Sequence, residues 1–167
     1  SQLPAWVTPY KCASVPMPSR RYAIHEAEAR PEIVKMILAV VRVEGPVHEG
    51  RVLRATRSAF NLERAGNRIQ AAFEEALADA KRQNAGLRHQ NGFLSIHGDV
   101  VRVRAPQEGD LETERAVDEV APAELEMALR RSVSDAIQIG RDEVCTYVAR
   151  LFGWDRRGAL IDGAIQQ

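Results

Sequence analysis

A mainly α fold with a small antiparallel β wing, arranged as tandem winged-helix or helix-turn-helix-like units, is what this 167-residue sequence predicts. Three features predict it. Apolar residues recur at helical spacing in three consecutive segments, a stretch of alternating apolar and polar residues follows them, and the helical pattern returns ninety-two residues downstream, where Val52 meets Val144.

Residues 1–30 read as an extended lead, because Pro4, Pro9, Pro16 and Pro18 break helices and restrict the residue before each. Trp6 and Tyr10 are expected to pack back onto the body, and Arg20-Arg21 to be a solvated pair. Residues 31–106 form the first winged-helix-like unit. Its first helix spans Pro31 to Val43, with Ile33, Met36, Ile37, Val40 and Val41 on one stripe and Gly45-Pro46 as its stop. The second spans Glu49 to Ala59, with Val52, Leu53, Thr56 and Phe60 on one face. Phe60-Asn61-Leu62 makes a short turn in which Asn61 caps the third helix, Glu63 to Arg82, whose buried face carries Ile69, Ala72, Phe73, Ala76, Leu77 and Ala80. Gly66, just inside that helix, implies a neighbouring helix too close for a side chain, and Gly158 implies the same downstream. The wing is a hairpin from Asn91 to Pro106 that turns at His97-Gly98-Asp99, with Val101 and Val103 alternating with Arg102 and Arg104 and the sheet lying between Leu87 and Val103.

Residues 107–121 are polar, mostly acidic and without apolar period, which makes them a connector. A second three-helix unit occupies residues 122–167, with helices at Pro122 to Val133, Arg141 to Leu151 and Asp155 to Gln166. At the ninety-two-residue shift Val52, Phe60, Arg64, Gly66, Ile69 and Ala72 meet Val144, Phe152, Arg156, Gly158, Ile161 and Ala164. That match indicates two copies of one three-helix unit.

Twenty-three Lys and Arg balance twenty-three Asp and Glu, so the field of the whole chain neither favours nor opposes a polyanionic partner, and only the distribution of charge decides. No apolar run approaches the ~20 residues of a membrane span, and the start lacks the pattern of a secretion signal, so the expected setting is cytoplasmic with no membrane contact. Ser1 rather than Met suggests a piece of a longer polypeptide. Cys12 and Cys145 lie apart from each other and from any His at ligand spacing, which points to free thiols and no metal site. His48 in the Gly-Pro-Val-His-Glu-Gly turn has no HExxH, GxSxG or Cys-His partner and reads as a turn histidine bonded to backbone. His25 and His89 are isolated as well, while His97 at the expected wing tip is placed to meet a phosphate. Asp142-Glu143 suit a helix start rather than a shared substrate. No catalytic residue and no cofactor is expected.

The segments EGPVH, AFNLERAG, GFLSIHGDVVRVRAP, APAELEMALRRSV and ARLFGWDRRGALI occur in that order. Together they resemble a domain of unknown function near the C-terminus of large bacterial superfamily 1 DNA helicase-related proteins, where it follows the ATPase and often a restriction-endonuclease-like nuclease domain. The resemblance covers about residues 31–167. It implies an accessory module of a DNA-processing protein and supplies no catalytic residues. The chain itself carries neither a GxxxxGK[ST] phosphate loop nor the acidic pair before lysine of a metal-dependent nuclease.

Two functions follow as expectations. The first is nucleic-acid binding, DNA more than RNA, with Arg64, Asn67 and Arg68 at the start of the third helix and Arg88, Arg102 and Arg104 on the wing meeting bases or phosphates. The second is docking on the helicase or nuclease domains of the parent polypeptide, for which Trp6 and Trp154 are natural contacts.

Overall fold

The apolar stripe between Ile33 and Val41 organises the larger body of the chain. A computed structural model describes residues 2–135 and 140–154, and these divide into two compact units, residues 12–99 and the described residues outside that span. These limits differ from the sequence boundaries. The extended lead is shared between the two units at residue 11, the break after the wing falls at residue 99 rather than 106, and residues 107–121 belong to a folded unit instead of joining two.

In the unit of residues 12–99, α1 (Arg30–Glu44), β2 (Val47–His48), α2 (Glu49–Ala59), α3 (Asn67–Gln83), β3 (Leu87–Gln90) and β4 (Phe93–Ile96) follow one another. Helix α1 buries Ile33, Met36, Ile37, Val40 and Val41, the stripe read from the sequence, together with Val34. All of these except Met36 pack with Val52 of α2, Phe73, Ala76 and Leu77 of α3, and Leu94 of β4 in one core. Each large side chain so buried contributes about 1.5–3 kcal/mol. The sheet has the order β2-β4-β3 and is antiparallel, with Val47 opposite Leu94 and Gln90 opposite Phe93. Asn91 (φ 50°) and Gly92 (φ 80°) are the two-residue loop of this hairpin, a left-handed pair that a right-twisted hairpin demands. A turn does occur at His97-Gly98-Asp99, with Gly98 at φ 91° and the Asp99 amide bonded to the Ile96 carbonyl at 2.9 Å, but it is not the turn of the hairpin: His97 sits at the hairpin's base, donating its amide to the Gly86 carbonyl at 2.7 Å.

Helix α3 starts four residues later than the sequence reading places it. The cause is the end of α2. Asn61 adopts φ 58°, its amide bonds the Ser58 carbonyl at 2.9 Å and the Leu62 amide reaches Arg57 at 2.9 Å, the paired bonds of a Schellman stop. Asn61 thus closes α2 instead of capping α3, and Gly66 caps α3. A side chain at Gly66 would meet nothing within 4 Å, so the close helix approach inferred there is absent. Gly158 lies outside the described residues.

The other unit contains β1 (Val7–Pro9), β5 (Val103–Ala105), α4 (Pro122–Asp135) and α5 (Arg141–Leu151), with single 3-10 turns at Leu111–Thr113 and Val117–Glu119. Strands β1 and β5 are parallel, Val7 opposite Val103. Val103 and Arg104 are consequently not part of the hairpin, and the expected wing ends at Ile96. Helices α4 and α5 keep the offset read from the sequence, since α2 runs 49–59 and α5 141–151. Helix α5 also closes as α2 does, with Phe152 at the C-cap and Gly153 at φ 80°. The third helix of that repeat, Asp155 to Gln166, lies outside the described residues.

A buried charge cluster holds this second unit together. Glu124 is 2% exposed and accepts bonds from Arg104 Nη2 at 2.9 Å, Arg115 Nη1 and Nη2 at 2.8 Å, and the Arg104 amide at 2.9 Å. Both guanidinium groups lie over the ring of buried Tyr10, at 4.9 and 4.6 Å from its centroid. Burial pushes the Glu124 carboxyl up, yet the bonds and charges of Arg115 and then Arg104 outweigh it and hold the group below its ordinary 4.5. A lowered folded value means that this contribution is complete above pH 4.5 and is lost as pH falls through the lowered value. Glu124→Gln is expected to cost about 3–5 kcal/mol at neutral pH, because it strands two buried cations. In melting curves recorded from neutral to acid pH, the gap between wild type and variant should narrow as acid protonates the wild-type carboxyl. A gap that stays constant would contradict this role.

Candidate nucleic-acid interface

The start of α3 presents a basic end for reasons that are local. Arg64, Asn67 and Arg68 are all exposed. Arg57 donates to the Glu63 carbonyl and ties the turn back to α2. No side chain caps the first turn of α3 and no acid stands in it, whereas α1, α2 and α4 carry Glu32, Glu49 and Glu124 there. Unsatisfied amides and the helix dipole therefore reinforce the two arginines instead of being quenched. Farther along, Glu75 pairs with Arg30 and Asp79 with Arg82, while Glu74 accepts from Gln70 at 3.1 Å. Those acids oppose a polyanion less than an unpaired row would.

The remaining expected contacts separate. Arg88 is exposed on β3, with Nη2 3.4 Å from His97 Nδ1, and belongs to the same unit as Arg64, Asn67 and Arg68. Arg102 is exposed but belongs to the other unit. Arg104 is 2% exposed and engaged with Glu124, so it is a structural cation and cannot meet a phosphate. The alternation of Val101 and Val103 with Arg102 and Arg104 misled because a non-local carboxylate twenty residues away neutralises Arg104 inside the core. Trp6 and Trp154 are half-buried and bonded, Trp6 to Asp135 at 2.5 Å and Trp154 to the Arg115 carbonyl at 2.9 Å. His48 caps α2, its Nδ1 accepting from the Gly50 amide at 3.0 Å, as expected of a turn histidine.

The neutral chain is not neutral locally. Residues 12–99 hold thirteen Lys and Arg against ten Asp and Glu, net +3, which leaves ten against thirteen, net −3, in the other unit. Two hollows flank α3. One of about 620 Å³ includes Glu49 and Glu74 in its wall, and the other, of about 450 Å³ at the α2–α3 corner, has no acid among its lining residues. Met17, Arg20 and Tyr22 are walls of the second hollow, a role that the sequence does not single out. No local signal ties that segment to α3; the Asn91-Gly92 dipeptide, by contrast, was a readable turn signal.

Since Gly66 faces open space with an ordinary extended backbone (φ −79°), Gly66→Ala and Gly66→Leu should melt at the same temperature. Gly66→Asp should melt higher, stabilised by about a few tenths of a kcal/mol through capping and the helix dipole. A leucine variant far less stable than the alanine variant would show a contact that this geometry lacks.

A family model described as "Protein of unknown function (DUF3320)" matches residues 23–71, less than a third of the chain. The match takes in α1, β2, α2 and the first residues of α3, including Arg64, Asn67 and Arg68. No curated protein and no solved structure matches the chain.

Proposed function

We propose that residues 12–99 are a winged-helix module that binds DNA through the start of α3, as a non-catalytic accessory part of a bacterial DNA helicase-related protein. The observation that carries this reading is the acid-free first turn of α3 with Arg64, Asn67 and Arg68 exposed around it, on the unit that holds the excess of basic residues. The succession of helix, strand, helix, helix and hairpin, with the short strand paired to the second arm of the hairpin, supports a winged-helix unit. The arrangement of α4 and α5 at the same offset supports a second, partial copy. DNA is favoured over RNA because a B-form major groove admits a helix, whereas the A-form groove is too deep and narrow for side chains to read. Arg64 and Arg68 meet phosphates, Asn67 suits a base edge, and Arg88 on the wing arm contacts the adjacent backbone.

A second reading, docking on the helicase or nuclease domains of the same polypeptide, is favoured by the acidic unit. Val100 (76%), Leu111 (77%) and Val133 (56%) are exposed there. The two readings use different residues and are compatible in one molecule.

Titration with a short duplex over a range of salt tests the DNA reading. Arg64→Ala and Arg68→Ala should each reduce the slope of log K against log salt by about 0.9, the effect of one phosphate contact. Arg102→Ala should leave it unchanged, and Gly66→Asp should weaken binding although it stabilises the fold. Slopes indifferent to Arg64 and Arg68 would contradict the proposal.

A further inference from the structure

We infer that the hollow at the α2–α3 corner holds one unpaired nucleobase of a strand that continues beyond the duplex. This inference rests on the DNA reading above and adds a substrate feature to it: a junction between double and single strand. The hollow measures about 450 Å³, within the range of roughly 300–1,000 Å³ typical of small-ligand sites. Its walls come from two places in the chain. Met17 and Tyr22 belong to the segment before α1, while Phe60, Leu62 and Ile69 belong to the corner between α2 and α3.

Three observations select a base as occupant. First, the walls are aromatic and apolar but remain wet: Met17 is 79% and Tyr22 37% exposed, although a large apolar side chain gains by being covered. A flat base covers such walls by stacking, which is sequence-tolerant because every base has a π-face. Methionine adapts to whichever ring is present. Second, the ionisable side chains that line the hollow are Arg20, Tyr22 and His25, with no carboxylate among them, so the wall itself presents no anion to the phosphates flanking the base. The larger hollow on the other side of α3 fails this condition through Glu49 and Glu74. Third, Leu62 and Ile69 in the wall bracket Arg64, Asn67 and Arg68 in the chain, which sets the hollow beside the stretch that grips the strand; exposed Glu63 is the one acid in that stretch and is not part of the wall. A base inside a duplex is paired and stacked on both faces and cannot enter. Only an unpaired one fits.

The geometry of the segment before α1 makes the site a built one. Its backbone is fixed by the Ser19 amide bonded to Glu32 at 2.8 Å and by Ile24, which is 3% exposed in the core. Tyr22 and Met17 project from a held frame.

The test uses the whole chain with a blunt duplex and with the same duplex carrying a short single-stranded overhang that contains 2-aminopurine. The overhang should tighten binding about ten-fold, the scale of one stacked base, and 2-aminopurine emission should be quenched on binding. Tyr22→Ala and, separately, Met17→Ala should remove most of that gain and restore emission while leaving blunt-duplex affinity unchanged; both residues are exposed enough to be replaced without loss of the core. An overhang that brings no gain, or a gain that survives both substitutions, would overturn the inference while leaving the DNA reading intact. Absence of blunt-duplex binding at low salt would overturn both.

Discussion

Glu44 ends α1 with a carboxylate that has no solvent exposure, and the larger unit depends on how that charge is held. Arg51 of α2 donates to it from Nε at 3.0 Å, and the Ala13 amide donates at 2.9 Å. One anion therefore joins three pieces: the end of the first helix, the second helix and the chain before them. A buried charge is tolerated only where paired and hydrogen-bonded, so the segment that supplies Ala13 cannot leave without costing this buried carboxylate one of the bonds that satisfy it. The proline-rich start is thereby turned from a tail into a wall. Everything proposed for the α2–α3 corner needs that wall, since Met17, Arg20 and Tyr22 lie a few residues beyond the anchored amide.

The second unit repeats the device with other residues. Glu124 gathers Arg104, Arg115 and the Arg104 amide, and Tyr10 lies beneath both guanidinium groups. Arginine suits this task because its planar fork satisfies both carboxylate oxygens and still stacks on a ring. Two of the cations that a sequence reader counts as surface charge are in this way spent on structure. The net balance of the chain therefore hides two opposite bodies, a basic one that holds the start of α3 and an acidic one with exposed Val100, Leu111 and Val133.

Much of the helical framework was legible because its signals are local and periodic. The limits of α2 and α5, and the buried faces of α1 and α3, follow from apolar spacing that a single helix displays by itself. The errors have two physical sources. Some are turn chemistry: Asn61 tolerates left-handed backbone and so ends α2, and Asn91-Gly92, not His97-Gly98-Asp99, turns the hairpin. Others are non-local: the parallel pairing of Val7–Pro9 with Val103–Ala105, and the burial of Arg104 by Glu124, cannot be seen in any window that contains only one partner. For the candidate interface, the exposure of Arg64, Asn67, Arg68 and Arg88 was legible from their position on the helix and hairpin. The hollow beside them was invisible, because its two walls are separated by the whole of α1 and α2.

Amide chemical-shift mapping of the isotope-labelled chain, titrated with a short DNA duplex at low salt, tests the central claim most directly. The account predicts shifts concentrated at the turn and first turn of α3, from Asn61 to Ala72, with a second group around Arg88, and predicts that the amides of Arg104, Arg115 and Glu124 stay still. Shifts confined to the acidic unit, or none at any DNA concentration, would contradict it.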